Sequence, residues 1–535
     1  MTSAQQAPSL PGTAPAAHPR RWLVLAVLVL SLLIVVLDNT VLNVALERVS
    51  RPAPVGLAAT QAELQWAVNS YTLVFAGMLF TWGTLGDRLG RRRILLLGFV
   101  LFGVASLASA YAQDPAQLIA ARALMGLGGA AVMPATLSII SNVFEPAERP
   151  KAIGIWAGAV GIGIAVGPIV GGSLLEHFWW GSVFLINVPI VVLGLVVITA
   201  LVPESRNPAP GRLDPVGVLL QTAGLVALVY GIIRIGELGT AADPTVVVPL
   251  TLGVAVLAAF VVWELRTDSP VLDVRLFRMP TFAAAVASIG LTFFALMGVT
   301  FFMVFYLQVV RGYTPLEAGV RLLPLALGQL VASPLSARMT RRFGARVVTA
   351  TGLALVSGSF LAYLALDEHS SIWVLELIFL MQGLGMGNVM PPATEVIMGS
   401  MPREQAGAAS AVNNTVRQVG GALGVAVLGT LLSSVYRRGF ADDLPGLPVP
   451  AGVRESMASS VQATVAVIDR IGAQAEPLRA PAYDAFVTAM HTTALVSAAV
   501  AAFGALVVAR YLPGRKPVPG AAPHAPGMAK AEVSA

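Results

Sequence analysis

Apolar runs of about 20 residues, the length that crosses the ~30 Å hydrocarbon core of a bilayer, recur along this chain with short polar breaks between them. The pattern predicts fourteen helical spans, starting near residues 22, 64, 94, 115, 152, 182, 213, 246, 281, 316, 346, 372, 406 and 484. The predicted class is therefore an all-α membrane protein. Fourteen is even, so both termini fall on one side. Residues 1–20, rich in Ala, Pro, Ser and Gln, read as a disordered tail, as do residues 513–535. The polar stretch 435–482 reads as a long loop between the last two spans.

The charges orient this pattern. Arginines and lysines crowd one set of loops: Arg88, Arg91, Arg92, Arg93, Arg149, Lys151, Arg206, Arg212, Arg266, Arg275, Arg278, Arg338, Arg341, Arg342, Arg346 and Arg403. The short loops of the other set hold only Arg48, Arg51, Arg234 and Arg311. The positive-inside rule then places both termini in the cytoplasm of a bacterial cell, with the chain multi-pass in the cytoplasmic membrane. Composition agrees, with 56% hydrophobic residues, 12% charged and a mean hydropathy of +0.78. The net charge of +6 is accounted for by topology anchors and gives no sign of nucleic-acid binding. With no cysteine, disulfides, thiolate metal sites and cysteine catalysis are excluded.

An internal repeat is visible. Gly126–Thr136 reads GLGGAAVMPAT and Gly383–Thr394 reads GLGMGNVMPPAT, with polar turns after each at Pro146 and Pro402. The Arg-rich loop at 83–93 has a weaker echo at Arg338–Arg346. Copies of equal orientation imply two six-span halves related by an axis along the membrane normal. The expected division is an N-terminal bundle at 21–204, two linking helices at 205–267 and a C-terminal bundle at 268–512.

Four local strings then fall in order. The loop after span 2 has Gly83, Leu85, Asp87, Arg88, Gly90, Arg91 and Arg92. Span 1 ends in Leu37, Asp38, Thr40, Val41, Asn43, Val44, Ala45 and Leu46. Span 4 carries Arg122 with Gly126 after it, and span 5 carries Gly163, Gly167, Pro168, Gly171 and Gly172. Together these resemble the major facilitator superfamily, and within it the fourteen-span drug:proton antiporters of the EmrB/QacA type, over nearly the whole chain. Glu47 stands where that family's first-span string closes on proline. The resemblance implies the major facilitator fold, two six-helix bundles plus two extra helices. It also implies antiport by alternating access without a cofactor beyond the proton, and a chain that works as a monomer in the lipid bilayer.

Charged side chains are costly inside a bilayer, so those within spans are functional candidates. Asp38 lies ~24 Å along span 1 and Arg122 ~9 Å below the opposite boundary, at similar depths. They form the expected proton-coupling pair, the carboxylate binding the proton and the arginine tuning it. A purely structural ion pair is the competing reading. Asp87, Arg88, Arg91 and Arg92 are expected to gate, because Asp87 can cap a helix N-terminus or pair with an arginine in only one access state. Gly163, Gly167 and Gly171 share one helix face for close packing, and Pro168 can kink the span.

The expected substrate cavity draws on Asn43, Trp66, Tyr71, Met133, Gln329, Asn388, Asn413, Asn414 and Arg417. Trp66 and Tyr71 also read as interfacial belt residues. Arg417, ~16 Å into span 13, reads either as cavity lining or as an interhelix clamp. Phe293, Phe294, Phe301, Phe302 and Tyr306 of span 9 read mainly as packing or lipid-facing, Glu376 and Glu395 as interfacial, and Glu317 with Arg321 as an i,i+4 pair.

The function read from this is proton-driven export of hydrophobic, often cationic compounds, with a specific natural product, lipid or metabolite as the alternative cargo. No Walker-type string is present to drive an ATP pump. The five histidines, His18, His177, His369, His491 and His524, lie in tails, loops or near span ends, which argues against a metal site and an intramembrane enzyme.

Overall fold

The computed structural model describes residues 19–145, 148–206, 213–268, 270, 272–400, 406–440 and 451–514. Both tails, the turns at Pro146 and Pro402, and the loops holding Arg212 and Arg403 fall partly or wholly outside these residues. All elements described are helical: α1 (Arg21–Ser50), α2 (Gln61–Leu89), α3 (Arg91–Ala110), α4 (Pro115–Val143), α5 (Arg149–His177), α6 (Ser182–Leu185), α7 (Asn187–Leu201), α8 (Pro215–Leu238) and α9 (Pro244–Arg266). Then follow α10 (Pro280–Phe305), which ends in a π-turn at Tyr306–Val310, α11 (Pro315–Arg321), α12 (Leu323–Phe343), α13 (Ala345–Ala362), α14 (Ile372–Gly399), α15 (Ala406–Phe440), α16 (Ala451–Ser459), α17 (Val461–Ile471) and α18 (Arg479–Tyr511).

Each start expected from the apolar pattern falls within five residues of a helix start. Local chemistry sets several of these starts. Asp114, Asp214 and Asp243 accept N–H bonds from the first turns of α4, α8 and α9, each with proline next in sequence. Thr60 with Glu63 and Thr314 with Glu317 form capping boxes on α2 and α11. Among the described residues, twelve helical segments are long and apolar enough to cross a membrane. Helix α2, of 29 residues, is not among the twelve, and α5, of equal length, has side chains outside the described set.

The repeat is present in the packing. In the first half α1 packs on α5, α2 on α4, α3 on α4 and α3 on α7. In the second, α10 packs on α15, α12 on α14, α13 on α14 and α13 on α18. The repeated glycines do matching work: Gly126 lets α4 approach the backbone of α2 at Tyr71, and Gly383 lets α14 approach α12 at Leu325. The two Arg-rich turns match as well. A single glycine at positive φ, Gly90 (116°) or Gly344 (88°), separates the joined helices, a conformation that an L side chain adopts only under strain. Helix α8 rests on both α2 and α15, and α9 packs on α8.

Two expectations are corrected here. The stretch 435–482 is not one long loop. α15 runs on to Phe440, α16 and α17 follow, and α18 begins at Arg479. Met457, Val461, Thr464 and Ile468 are buried, and Tyr436 and Thr464 share a hydroxyl–hydroxyl bond of 2.7 Å, so this segment is packed onto the end of α15. Glu317 and Arg321 do not pair. Glu317 is used by the Thr314 cap, and Arg321 reaches Glu376 of α14 at 2.7 Å.

Candidate functional site

Asp38 and Arg122 meet. Arg122 Nη1 donates to Asp38 Oδ2 at 2.5 Å, with both side chains almost wholly buried at 1% exposure. Helices α1 and α4 bring them to one depth, as the rise along each span requires. The second carboxylate oxygen is also held. Asn187 Nδ2, at the start of α7, donates to Asp38 Oδ1 at 3.1 Å and to Ser106 Oγ at 2.9 Å. Ser106 in turn donates to the Phe184 carbonyl at 2.9 Å. Arg122 Nε donates to the Ala67 carbonyl of α2 at 3.2 Å, and its guanidinium lies 4.4 Å over the Tyr71 ring.

Five helices thus converge on one ion pair. Taking two charges out of water costs several kcal/mol per ion, and only good geometry with further hydrogen bonds offsets it. Removing one partner leaves a bare buried charge, so the pair works as a unit. The carboxylate is the group whose charge a proton can cancel, and doing so frees Arg122 from its anion.

Asn187 and Ser106 escaped sequence reasoning. A lone amide just after a bend between two apolar runs was the available signal, but its partner lies 149 positions away. Tyr71 is not a belt residue, since it is wholly buried beneath Arg122. Trp66 packs on Tyr230 of α8, with centroids 6.3 Å apart.

The span-5 glycines divide by partner. Gly163 faces Leu33 and Val36 of α1, Gly167 faces Thr40, and Gly171 faces Val41, where an added methyl would lie 2.9 Å from Cγ1. Gly172 faces the other half and abuts the backbone of Pro315 and Leu316 in α11. Gly319 of α11, absent from the sequence-based site, reciprocates against the Pro168 carbonyl. Gln308 Nε2 adds a bond to the Val44 carbonyl at 2.9 Å, and Gln462 of α17 donates to Gln61 Oε1 at 3.1 Å. These contacts draw the two halves together at the end remote from the Arg-rich turns. Pro168 does not interrupt α5.

At the Arg-rich turn, Asp87 pairs with Arg91 at 2.9 Å, and Arg91 also donates to the Ser138 carbonyl at 3.2 Å. Asp87 is therefore not the cap of α3. That role falls to Glu204, which accepts from the Arg92 N–H at 3.2 Å and lies 3.7 Å from Arg93. Arg92 reaches the Val202 carbonyl at 3.3 Å, while Arg88 is exposed.

The expected cavity residues are scattered. Met133 is buried, and Asn43 and Gln329 are half-buried. Asn388 packs against Gly352 of α13 and donates to the Leu384 carbonyl at 2.9 Å. Asn413, Asn414 and Arg417 lie together on α15, with Arg417 5.5 Å over the Phe293 ring. Phe301, Phe302 and Tyr306 are buried in the packing of α10. His491 lies within α18 and meets the Leu366 carbonyl at 2.7 Å.

A repeated bundle of membrane-length helices around one buried acid–base pair defines a multi-pass membrane transporter. The model of the Major Facilitator Superfamily matches residues 25–425, and the chain belongs to that family. It is 37% identical over 493 residues to "Multidrug efflux pump LfrA" of Mycolicibacterium smegmatis, covering 91% of this chain and 96% of that one. It is 34% identical over 494 residues to "Tetracenomycin C resistance and export protein" of Streptomyces glaucescens, covering 91% of both. Among solved structures it resembles an inward-facing bacterial homologue of the human lysosomal transporter Spinster, with a TM-score of 0.65 at 20% identity, covering 93% of this chain and 98% of that one. That likeness is one of fold.

Proposed function

We propose that this chain exports hydrophobic, often cationic drugs across the bacterial cytoplasmic membrane in exchange for protons. It is a transporter, not an enzyme, and works as a monomer in the lipid bilayer with both termini in the cytoplasm. It is of the fourteen-span EmrB/QacA type, with α2 and α5 crossing alongside the twelve apolar segments. The six-helix bundles occupy 21–204 and 268–512, joined by the linking pair at 205–267. Relatives named for multidrug efflux and for tetracenomycin C export support this reading. The second of these names favours a specific natural product as an alternative cargo.

The observation that carries the coupling is the Asp38–Arg122 pair, buried and bonded to two further helices, α2 and α7. Asp38 binds the exchanged proton. Protonation cancels the anion that holds Arg122, so the contacts joining α1, α4 and α7 differ between proton-loaded and proton-free protein. A ligand that binds two conformations unequally shifts their balance, and the proton is that ligand here. The Gly172–α11 and Gly319–α5 contacts are the closed outer gate. Asp87 with Arg91 belongs to the inner gate, set by Arg88 and Arg92 beside it. Proton is the coupling ion, and no other cofactor takes part.

The test is ethidium efflux from proteoliposomes under an imposed pH gradient, comparing native protein with Asp38→Asn. Gradient-driven efflux is expected in the native protein and absent in the variant, which keeps its fold because the amide still accepts from Arg122. Undiminished coupled efflux by Asp38→Asn would sink the proton assignment.

A further inference from the structure

Three charged side chains lie deep within the spans: Asp38, Arg122 and Arg417. The first two cancel each other. Arg417 has no such partner. Among the described residues it makes no salt bridge, and the group against it is the Phe293 ring at 5.5 Å. The helices place it there by design of the sequence. Gly420 lies against the backbone of Gly290, and Gly424 against that of Phe294, so α15 and α10 approach closely and Phe293 comes beneath the guanidinium.

One turn earlier on the same face, Asn413 carries a buried Oδ1 with no hydrogen-bond donor among the described residues. The other span acids are engaged or peripheral: Glu376 pairs with Arg321, Glu264 accepts from the Leu272 N–H, and Glu395 is exposed at the end of α14. An uncompensated cation near the middle of a membrane is costly, and an aromatic face offsets only a small part of that cost. Arg417 is half-buried, so part of it still faces open space.

We propose that Arg417, the Phe293 face and Asn413 form a subsite for the acidic group of a planar aromatic cargo. The guanidinium binds the carboxylate or phenolate, the ring of Phe293 stacks on the cargo, and Asn413 Oδ1 accepts from a neighbouring cargo hydroxyl. A guanidinium fork suits an oxyanion better than a lysine would. This rests on the export reading and extends it. The pump handles aromatic acids through Arg417, while cationic cargo binds without it.

The probes are two xanthene dyes of like shape and opposite charge, fluorescein and rhodamine 6G. Their binding to purified, detergent-solubilised full-length protein is read by fluorescence polarisation for the native chain, Arg417→Gln and Arg417→Lys. A charge-assisted bond of this kind predicts that Arg417→Gln weakens fluorescein binding about tenfold or more. Arg417→Lys should lose less than Arg417→Gln, and rhodamine 6G binding should not weaken in either variant, which also reports that they are folded.

Equal loss of both dyes in Arg417→Gln would make Arg417 a helix clamp and overturn the subsite. So would unchanged fluorescein binding, or a native protein that binds rhodamine 6G alone. Proton-driven ethidium efflux, measured on the same preparations, judges the export reading separately. If efflux persists while fluorescein is not bound, the subsite falls and export stands.

Discussion

At the residue scale, the proposed coupling site centres on one carboxylate whose two oxygens have separate partners, Arg122 and Asn187. Asn187 is the more revealing of the two, because its amide joins Asp38 to Ser106 and so ties α1 to α3 and α7. Replacing it with leucine removes that donor and leaves Asp38 Oδ1 short of a bond inside a buried site. We expect Asn187→Leu to cost about 1–3 kcal/mol, the penalty for an unmet buried polar group. A lowered thermal unfolding midpoint in detergent, with Asn187→Ser milder than leucine, checks this. A midpoint equal to that of the native protein would mean Asn187 is incidental. Asp38 and Arg122 were legible in the sequence because charge inside an apolar run stands out. Asn187 and Ser106 were not, since uncharged polar residues are common in spans and only the folded geometry selects these two.

At the scale of elements, the seam between α5 and α11, the proposed outer gate, is packed backbone to backbone. Gly172 meets the backbone of Leu316, and no side chain there can move aside. A valine at 172 must therefore push the helices apart, because overpacking a backbone contact cannot be relieved by a rotamer change. The chain has no cysteine, so a single cysteine reports this directly. Val44, now 1% exposed with its carbonyl bonded to Gln308, serves as the sensor. In a Val44→Cys background, Gly172→Val should raise labelling by a membrane-impermeant maleimide several-fold. Labelling that stays at background would show that the seam does not close the outer side. The span-5 glycines were visible in sequence as a stripe, but not the division that sends Gly172 to the opposite half. Gly319 had no repeat-related string to mark it. Helix α17 was hidden for another reason: Val461, Thr464 and Ile468 make a buried face only eight residues long, too short to stand out in a polar stretch.

For the whole molecule, apolar periodicity located the helices because each must satisfy its backbone internally in lipid. It says less about which helices cross, and α2 shows why. Its low apolarity comes from Gln61, Gln65, Asn69, Ser70 and Thr72, all of which are buried against protein. Polar side chains that face the bundle rather than lipid do not bar a helix from the membrane. At 29 residues, ~43 Å long, α2 is ample for a ~30 Å core. The same length holds for α5, whose glycines fit it against α1. A fourteen-span topology therefore predicts opposite sidedness at the two ends of each helix. Single cysteines at the exposed positions Val55 and Leu89 flank α2, and those at Glu145 and Phe178 flank α5. In intact cells, Val55→Cys and Phe178→Cys should react with impermeant maleimide, while Leu89→Cys and Glu145→Cys should react only after permeabilisation. Reaction of Leu89→Cys from outside would remove α2 from the membrane and with it the shared depth of Ala67 and Arg122. The coupling site and the topology thus stand or fall together at this one helix.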